Sequence, residues 1–233
     1  MEQRRDSATA YIILADGFET IEALTPLDVL RRCGVEVTTI SLNKTRAVRS
    51  SHGVTVEADA TMEEYMLKRS NAGSSSSADI SSGSTNITNA GSSTGASDTN
   101  TTASTSTNVS GTMRQALILP GGYPGYKNLC ESAEVGALIT QFHKEGKLLC
   151  AICGAPTALK ANQICRGAAI TCHTSVKEEL TDYYSILSSA VVKYMNIITG
   201  MGAGRSLDFA FAIAESLTSK EKVEEIKAKM EII

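Results

Sequence analysis

A short apolar segment that ends at a cysteine and turns at once into a helix constrains the fold of this chain most. Residues 148–152 (LLCAI) form a continuous apolar run with Gly146 before it and Gly154 after it. The run is too short for a core helix and is typical of a buried strand in a parallel sheet. Pro156 is well tolerated in the first turn of a helix, and good helix formers follow it. Cys153 is therefore predicted to lie at a strand-to-helix turn.

Such a turn gives a cysteine a chemical role. The same arrangement with serine is the nucleophile elbow, which presents a reactive side chain at the mouth of a sheet. Free backbone N–H groups at the start of a helix favour a thiolate, so we expect the pKa of Cys153 to lie below the reference value of about 8.5. A cysteine can also be a small core residue. Here the strand–turn–helix context favours the nucleophile.

The rest of the chain alternates strands with helices. A first helical segment is predicted because Ile21, Leu24, Leu27 and Leu30 recur every third residue. Within it, Thr25 is predicted to be the cap and Pro26 the first helical position, with Gly34 after the end. Apolar or β-branched runs predict strands at residues 11–15, 35–42, 115–119, 148–152, 168–172, 190–194 and 196–199. Further helices are predicted near residues 62–69, 133–145, 176–180, 206–217 and after 218. This order predicts a doubly wound α/β sandwich, with functional groups at the carboxyl ends of its strands.

One segment breaks this pattern. Residues 71–111 consist almost wholly of Ser, Thr, Asn, Gly and Ala. Such a segment cannot bury enough apolar surface to offset an ordering cost of about 1–2 kcal/mol per residue. We therefore predict a single domain over residues 1–233 that contains a disordered insert at 71–111.

The charge balance and the cysteine content narrow the class of protein. The chain has 22 basic and 25 acidic residues, which argues against a dedicated nucleic-acid binder or an anionic-membrane binder. The apolar run at residues 8–15 is too short for a signal peptide or a membrane span, so we expect a cytoplasmic protein. Six cysteines in a chain long enough to build its own core predict reduced thiols rather than a disulfide framework.

Three further groups are predicted to meet Cys153 at the same edge of the sheet. Gly121 and Gly122 follow a predicted strand, and their amides could hold an oxyanion or could simply form a turn. His173 follows another predicted strand. Glu22 lies shortly after the first strand, where a carboxyl group beside a thiolate is expected to be protonated and to donate to the sulfur.

Other cysteine and histidine patterns are weaker. Cys150 and Cys153 have the spacing of a redox pair, but Cys150 is predicted to lie within a strand and to point away from the turn. Cys172 next to His173 suggests zinc, yet no second pair of ligands lies nearby in sequence, so no metal site is predicted. The remaining cysteines are interpreted as structural, and His143 as solvent-facing; these cysteines are Cys33, Cys130 and Cys165.

Four motifs in order resemble the ThiJ/PfpI superfamily, nearest to its Parkinsonism-associated deglycase branch. They are residues 14–22 (LADGFETIE), 26–32 (PLDVLRR), 119–122 (LPGG) and 151–159 (AICGAPTAL). The resemblance extends from Tyr11 to the last helix, apart from the insert. It implies a flavodoxin-like fold, similar to class I glutamine amidotransferases, and a homodimer.

The resemblance also implies roles for individual residues. Cys153 corresponds to the nucleophile of the family, and Glu22 to the carboxyl group that hydrogen-bonds its sulfur. The amides of Gly122 and Gly154 correspond to an oxyanion pocket. His173 corresponds to the active-site histidine of the family, and Asp28 corresponds to an acid that can pair with that histidine.

Two positions depart from the pattern of the family. Met201 stands where many relatives have arginine or glutamine, and His52 stands where some have an arginine near the pocket. Both changes put anion binding beside the thiolate, and hence stabilisation of a cysteine sulfinate, in doubt.

The activity implied is that of a cysteine-dependent glyoxalase or deglycase that needs no cofactor. Its substrates would be α-oxoaldehydes such as methylglyoxal, or the glycated products that they form. An alternative of another class is a redox sensor or chaperone-like stress protein that responds through oxidation of Cys153. A third, an intracellular peptidase, would depend on an oligomeric architecture that the sequence does not show.

Overall fold

A seven-stranded sheet organises the chain. The computed structural model describes residues 8–74 and 114–232, with only the backbone at residues 72–74. The strands of this sheet are ordered β10–β11–β7–β6–β1–β2–β5, and every pair is parallel except β10–β11. Two further pairs of short strands, β3–β4 and β8–β9, lie outside it.

The strands are β1 (Thr9–Leu14), β2 (Glu36–Ser41), β3 (Ala47–Arg49), β4 (Thr55–Glu57), β5 (Ala60–Thr61), β6 (Gln115–Leu119), β7 (Leu148–Ile152), β8 (Ala169–Ile170), β9 (Ser185–Ile186), β10 (Val191–Tyr194) and β11 (Ile197–Gly200). The α-helices are α1 (Thr20–Arg32), α2 (Met62–Ser74), α3 (Gly125–Glu131), α4 (Ala133–Lys144), α5 (Pro156–Ala161), α6 (Lys177–Leu180), α7 (Ser206–Leu217) and α8 (Lys220–Lys229). Short 3₁₀ turns precede α6 and α7.

Helices cover both faces of the sheet, as the continuous apolar strands require. Along β6, Leu117 and Leu119 pack into the core beneath α4 and α5, whereas Ile118 packs into the core beneath α1 and α7. In β7, Ala151 packs into the core beneath α4 and α5, and Cys150 packs into the core beneath α1 and α7. Because side chains alternate across a strand, burial on both faces yields an unbroken apolar run. The predicted doubly wound α/β sandwich is confirmed.

The first helix begins earlier than its sequence signals suggested. Thr25 and Pro26 were predicted as its cap and first residue, but α1 starts at Thr20 and holds Pro26 in its interior. Proline there leaves the Glu22 carbonyl without an intrahelical donor, a cost that burial of Pro26 against the core offsets. The earlier start places Glu22 in the first turn of the helix, directly above the edge of the sheet.

Three other predictions need correction. Helix α2 continues through residues 71–74, where the insert was predicted to begin, and the rest of that insert, residues 75–111, lies outside the described residues. The predicted strand at 168–172 is reduced to β8, which pairs with β9 rather than with the main sheet. His143 is half-buried rather than solvent-facing, because its Nε2 lies 3.7 Å from the Cys165 sulfur.

The described part of the chain bears on two further expectations. None of its helices is long and apolar enough to cross a bilayer. All six cysteines have free thiols, as predicted.

Candidate active site

The cysteine predicted at the strand-to-helix turn adopts a strained backbone conformation. Cys153 follows β7 directly and has a φ of +65°, in the left-handed region that non-glycine residues avoid. Its N–H donates to the Gly200 carbonyl at 3.0 Å, and its own carbonyl accepts the His173 N–H at 2.9 Å. A conformation that costs roughly 1–3 kcal/mol persists only where its surroundings impose it, and such strain is typical of functional sites.

Backbone amides face the half-buried sulfur of Cys153. The amides of Gly122 and Gly154 both act to lower the pKa of the thiol. Gly154 is needed sterically as well, because a Cβ there would lie 2.7 Å from the Tyr126 ring. These two amides are the donors available for negative charge at the site, on the sulfur or on an oxygen of a bound substrate.

Glu22 is the buried acid of the site, with no exposed surface. Its Oε2 accepts the Gly121 N–H at 2.9 Å, and the carboxyl group lies against the Cys153 thiol. Its Oε1 is also buried and has no hydrogen-bond partner among the described residues. Oε1 is therefore the oxygen that is free to carry the proton of this acid.

The role predicted for Gly121 needs correction. Its amide was predicted to join the oxyanion pocket, but that amide is occupied by Glu22. What the site requires of this glycine is its lack of a side chain. A Cβ would lie 2.6 Å from Cys153 Cβ and 2.6 Å from Glu22 Oε2. Gly121 therefore lets the acid and the thiol approach each other.

Glu22 and Cys153 titrate as a coupled pair. Burial raises the pKa of Glu22 to about 7, against opposing hydrogen bonds from Cys153 and Gly121, so the predicted protonation of this acid is supported. Burial, followed by the negative charge of Glu22, raises the pKa of the Cys153 thiol to about 12. The prediction of a lowered thiol pKa is therefore wrong, because these two effects outweigh the glycine amides. Above about pH 7 the pair retains one proton, and the thiol is then ionised only when that proton resides on Glu22.

We expect replacement of Glu22 with glutamine to remove a pH dependence of stability. The pKa of Glu22 rises from its ordinary value of 4.5 to about 7 on folding, so between these values the folded protein holds a proton that the unfolded chain has released. Stability therefore falls as pH rises through this window, by roughly 3 kcal/mol, and stays low above it. Urea unfolding of wild type and Glu22→Gln at about pH 4 and about pH 8 measures this difference.

The matched control is Glu36→Gln, since Glu36 is an exposed glutamate at the start of β2. This variant should follow the pH dependence of the wild type. If the free energy of unfolding changed by the same amount between about pH 4 and about pH 8 in wild type and Glu22→Gln, Glu22 would not be protonated on folding.

A backbone hydrogen bond to Cys153 holds His173 at the site. The ring is exposed, and its Nδ1 is 2.8 Å from the Ser175 hydroxyl and accepts the Ser175 N–H at 3.2 Å. The loop before α7 passes beside it, because a Cβ on Gly202 would lie 3.4 Å from the ring. The histidine is thus adjacent to Cys153 through the main chain, and Nε2 of its ring makes no hydrogen bond to the described residues.

Asp28 does not pair with His173 within one chain. It lies on the exposed face of α1 and forms an ion pair with Arg32 at 2.7 Å. Six residues of helix turn Asp28 about 240° away from Glu22, so the two acids of α1 point in different directions. The supporting role predicted for Asp28 is not seen within the chain.

The site also contains an acid, Glu19, that the sequence did not single out. Glu19 lies beside it and raises the pKa of Glu22 by its charge. Its Oε2 is 3.2 Å from the Ser51 hydroxyl and 3.3 Å from His52 Nδ1. The one available signal was the position of Glu19 three residues before Glu22. This spacing puts two side chains on the same side of a helix, but it could be used only if the start of the helix were known.

The competing cysteine patterns do not form sites. Cys150 is fully buried in β7, and burial raises the pKa of its thiol, as expected of a core residue. Cys172 is buried too, and across residues 8–74 and 114–232 no three His, Cys, Asp or Glu side chains come together as a metal site.

The chain combines a sheet covered by helices on both faces with a strained cysteine and a buried acid at the carboxyl edge of that sheet. This combination defines a class of proteins. These are flavodoxin-like α/β proteins with a cysteine elbow. The chain belongs to the DJ-1/PfpI family, whose family model matches residues 8–216.

Individual relatives agree with this assignment. The chain is 32% identical to protein dj-1beta of Drosophila melanogaster over 94% of its own length and 95% of the relative. A crystal structure of Drosophila melanogaster DJ-1beta superposes with a TM-score of 0.74 and 31% identity, covering 97% of this chain and 99% of that one. A glutathione-independent glyoxalase, DJR-1.2 of Caenorhabditis elegans, is 39% identical over 46% of this chain and 56% of the relative.

Proposed function

We propose that this protein is a cysteine-dependent glyoxalase that converts α-oxoaldehydes such as methylglyoxal to 2-hydroxy acids without a cofactor. The observation that carries the proposal is the Glu22–Cys153 pair: a thiol on a strained turn beside a buried acid that holds a proton near neutral pH. The similarity to a glutathione-independent glyoxalase over about half the chain supports the same substrate class.

The reaction begins with addition of sulfur to the aldehyde. With the shared proton on Glu22, the Cys153 thiolate attacks the aldehyde carbon, a C–S bond forms, and the carbonyl oxygen takes the proton from Glu22. The product is a hemithioacetal. The amides of Gly122 and Gly154 are the donors that can stabilise the oxyanion before it is protonated.

The second stage moves a proton between carbons. The Glu22 carboxylate, now the base, removes the proton from the former aldehyde carbon and delivers it to the adjacent carbon through an enediol. This leaves a 2-hydroxyacyl thioester on Cys153. Water then hydrolyses the thioester and restores the thiol, so methylglyoxal and one water give lactate. His173, with Nε2 free, is the second candidate for these proton transfers.

The same chemistry extends to glycated products. An adduct of methylglyoxal with an amine or a thiol releases the aldehyde reversibly, and capture by Cys153 would remove it as lactate. This is deglycase activity, and the homodimer implied by the resemblance would present two such sites.

The direct test is lactate formation. Purified protein, with a chelator and without glutathione, is incubated with methylglyoxal, and lactate is quantified by an enzyme-coupled assay. Lactate should form in proportion to protein concentration. Consumption of methylglyoxal without lactate, matched by mass shifts on arginine and lysine, would indicate chemical scavenging and overturn the proposal.

A redox-sensing function is the second candidate, favoured by the partial exposure of Cys153. Among the six free thiols it is the one that faces both a proton-holding acid and two backbone amides. Oxidation by peroxide should therefore occur at Cys153 before Cys150, whose thiol is sealed in the core. Peptide mass spectrometry after graded peroxide treatment measures this order, and uniform oxidation would contradict it.

A further inference from the structure

A second thiol, that of Cys165, lies beside a histidine away from the candidate active site. Its sulfur is 3.7 Å from Nε2 of His143, within hydrogen-bond distance for sulfur. Both residues are half-buried, and they are 22 positions apart in the chain. A cysteine within hydrogen-bond reach of a histidine is an arrangement in which the imidazole, acting as a base, activates the thiol as a nucleophile.

This pair lies at the edge of the sheet opposite Cys153. His143 belongs to the last turn of α4, and its carbonyl accepts the Gly146 N–H at 3.1 Å just before β7 begins. Cys153 follows the other end of β7. The five residues of this strand separate the two edges by on the order of 15 Å, so the second thiol is not part of the candidate active site.

The backbone around Cys165 is held in a turn by hydrogen bonds. Cys165 has a φ of +47°, in the left-handed region that non-glycine residues avoid. Its carbonyl accepts the Ala168 N–H at 3.0 Å, and the carbonyl of the preceding Ile164 accepts the Tyr184 hydroxyl at 2.7 Å. These contacts fix the backbone from which the sulfur reaches His143.

The ring of His143 has its other nitrogen buried, and that nitrogen, Nδ1, has no hydrogen-bond partner among the described residues. In His173, by contrast, the Ser175 N–H donates to Nδ1 and so keeps that nitrogen without a proton in the neutral ring. No such contact with the described chain fixes the tautomer of His143. Its Nε2 can therefore accept a proton from the Cys165 thiol.

Cys130 provides a comparison within the same chain. It is also a half-buried free thiol, but its sulfur lies 3.8 Å from the Thr157 carbonyl rather than beside an imidazole. Burial raises the pKa of both the Cys130 and the Cys165 thiol. Each thiol must therefore lose its proton to a base before the sulfur attacks, and an imidazole is such a base whereas a backbone carbonyl is not.

We propose that Cys165 and His143 form a second reactive thiol site, at which a peroxide oxidises Cys165 to a sulfenic acid. The thiol proton passes to Nε2 of His143 as the sulfur attacks one peroxide oxygen, so that an S–O bond forms and the O–O bond breaks. The leaving oxygen takes the proton back from Nε2. The sulfur is oxidised and the peroxide is reduced; with hydrogen peroxide the products are the sulfenic acid and water. This reaction goes beyond the proposed glyoxalase function and does not depend on it.

The test compares two cysteines in one sample. The protein is treated with hydrogen peroxide in the presence of dimedone, which labels sulfenic acids, and the labelled peptides are quantified over time by mass spectrometry. Trypsin cleaves after Lys160 and Arg166, so Cys165 is released on a peptide of its own. A positioned base contributes about a hundredfold or more to a reaction, and we expect Cys165 to be labelled at least about tenfold faster than Cys130 near neutral pH.

His143→Gln separates a base from a merely structural contact. Glutamine keeps a hydrogen-bonding group on this side chain but cannot take the thiol proton. The ratio of the Cys165 rate to the Cys130 rate should therefore fall to about one. Lys144→Gln is the matched control, because Lys144 is the exposed neighbour of His143 in the last turn of α4. This control should leave the ratio as it is in the wild type.

Two results would overturn the proposal. One is equal labelling of Cys165 and Cys130 in the wild type, and the other is a ratio that His143→Gln leaves unchanged. The Cys130 rate should be the same in wild type and variant, which shows that the variant keeps its fold; if it is not, the comparison within the wild type decides. None of these measurements involves methylglyoxal, so failure of this inference and failure of the glyoxalase proposal are distinguished.

Discussion

Replacing Cys153 with alanine is expected to lower the rate of lactate formation from methylglyoxal by about a thousandfold or more, because no other group at the site can form the hemithioacetal. The other groups proposed to act at the site are the Glu22 carboxyl and the His173 ring, which transfer protons but do not add to the aldehyde in this mechanism. Initial rates with saturating methylglyoxal measure the loss.

Cys165→Ala is the matched control for this variant. Cys165 is also a half-buried free cysteine with a left-handed backbone, with a φ of +47°, but its sulfur lies near His143 rather than near Glu22. It should retain the activity of the wild type. Equal activity in wild type and Cys153→Ala would remove the thiol from the mechanism, and loss of activity in both variants would point to an effect on folding.

Gly121→Ala is expected to abolish most activity while the chain still folds. The added Cβ would lie 2.6 Å from Cys153 Cβ, 2.6 Å from Glu22 Oε2 and 3.1 Å from the Cys153 sulfur, so the acid and the thiol must separate. A displacement of about 1 Å at reacting groups costs about a hundredfold in rate. Overpacking of this kind also lowers the free energy of unfolding by about 1–3 kcal/mol.

Turnover and thermal unfolding measured together test this prediction. Gly204→Ala is the control, because a Cβ there meets no atom within 4 Å and the residue does not adopt a left-handed φ. It should match the wild type in both measurements. If Gly121→Ala were fully active, the contact between Glu22 and Cys153 would not be required for the reaction.

The elements around the site were predictable where a local signal specifies them. The apolar run before Cys153 and Pro156 after Gly154 indicated strand, turn and helix, and β7 and α5 occupy those positions. The start of α1 was not predictable, because Thr25 and Pro26 carry strong start signals and yet the helix begins at Thr20. Burial of the Pro26 ring in the core overrides a local preference that is worth only a few kcal/mol.

The chemical state of the site depended on contacts between distant parts of the chain. Glu22 and Gly121 are 99 positions apart, and their hydrogen bond removed Gly121 from the oxyanion pocket in which the sequence had placed it. The thiol pKa was predicted in the wrong direction for a related reason. The effect of helix-start amides could be anticipated from Gly154, but burial beside a carboxyl group could not be quantified without the fold.

By itself, the sequence determined the alternation of strands and helices and the position of Cys153 at a turn, because both follow from periodicity and from residues adjacent in the chain. Only the tertiary structure decided how the groups around that sulfur are paired and which of them hold a proton. In the folded protein the pKa of Glu22 is raised, Asp28 pairs with Arg32, and Glu19 and His52 lie beside the site. The physical reason is that charge, burial and hydrogen-bond partners depend on distances in space, and a parallel sheet brings together strand ends that are far apart in sequence.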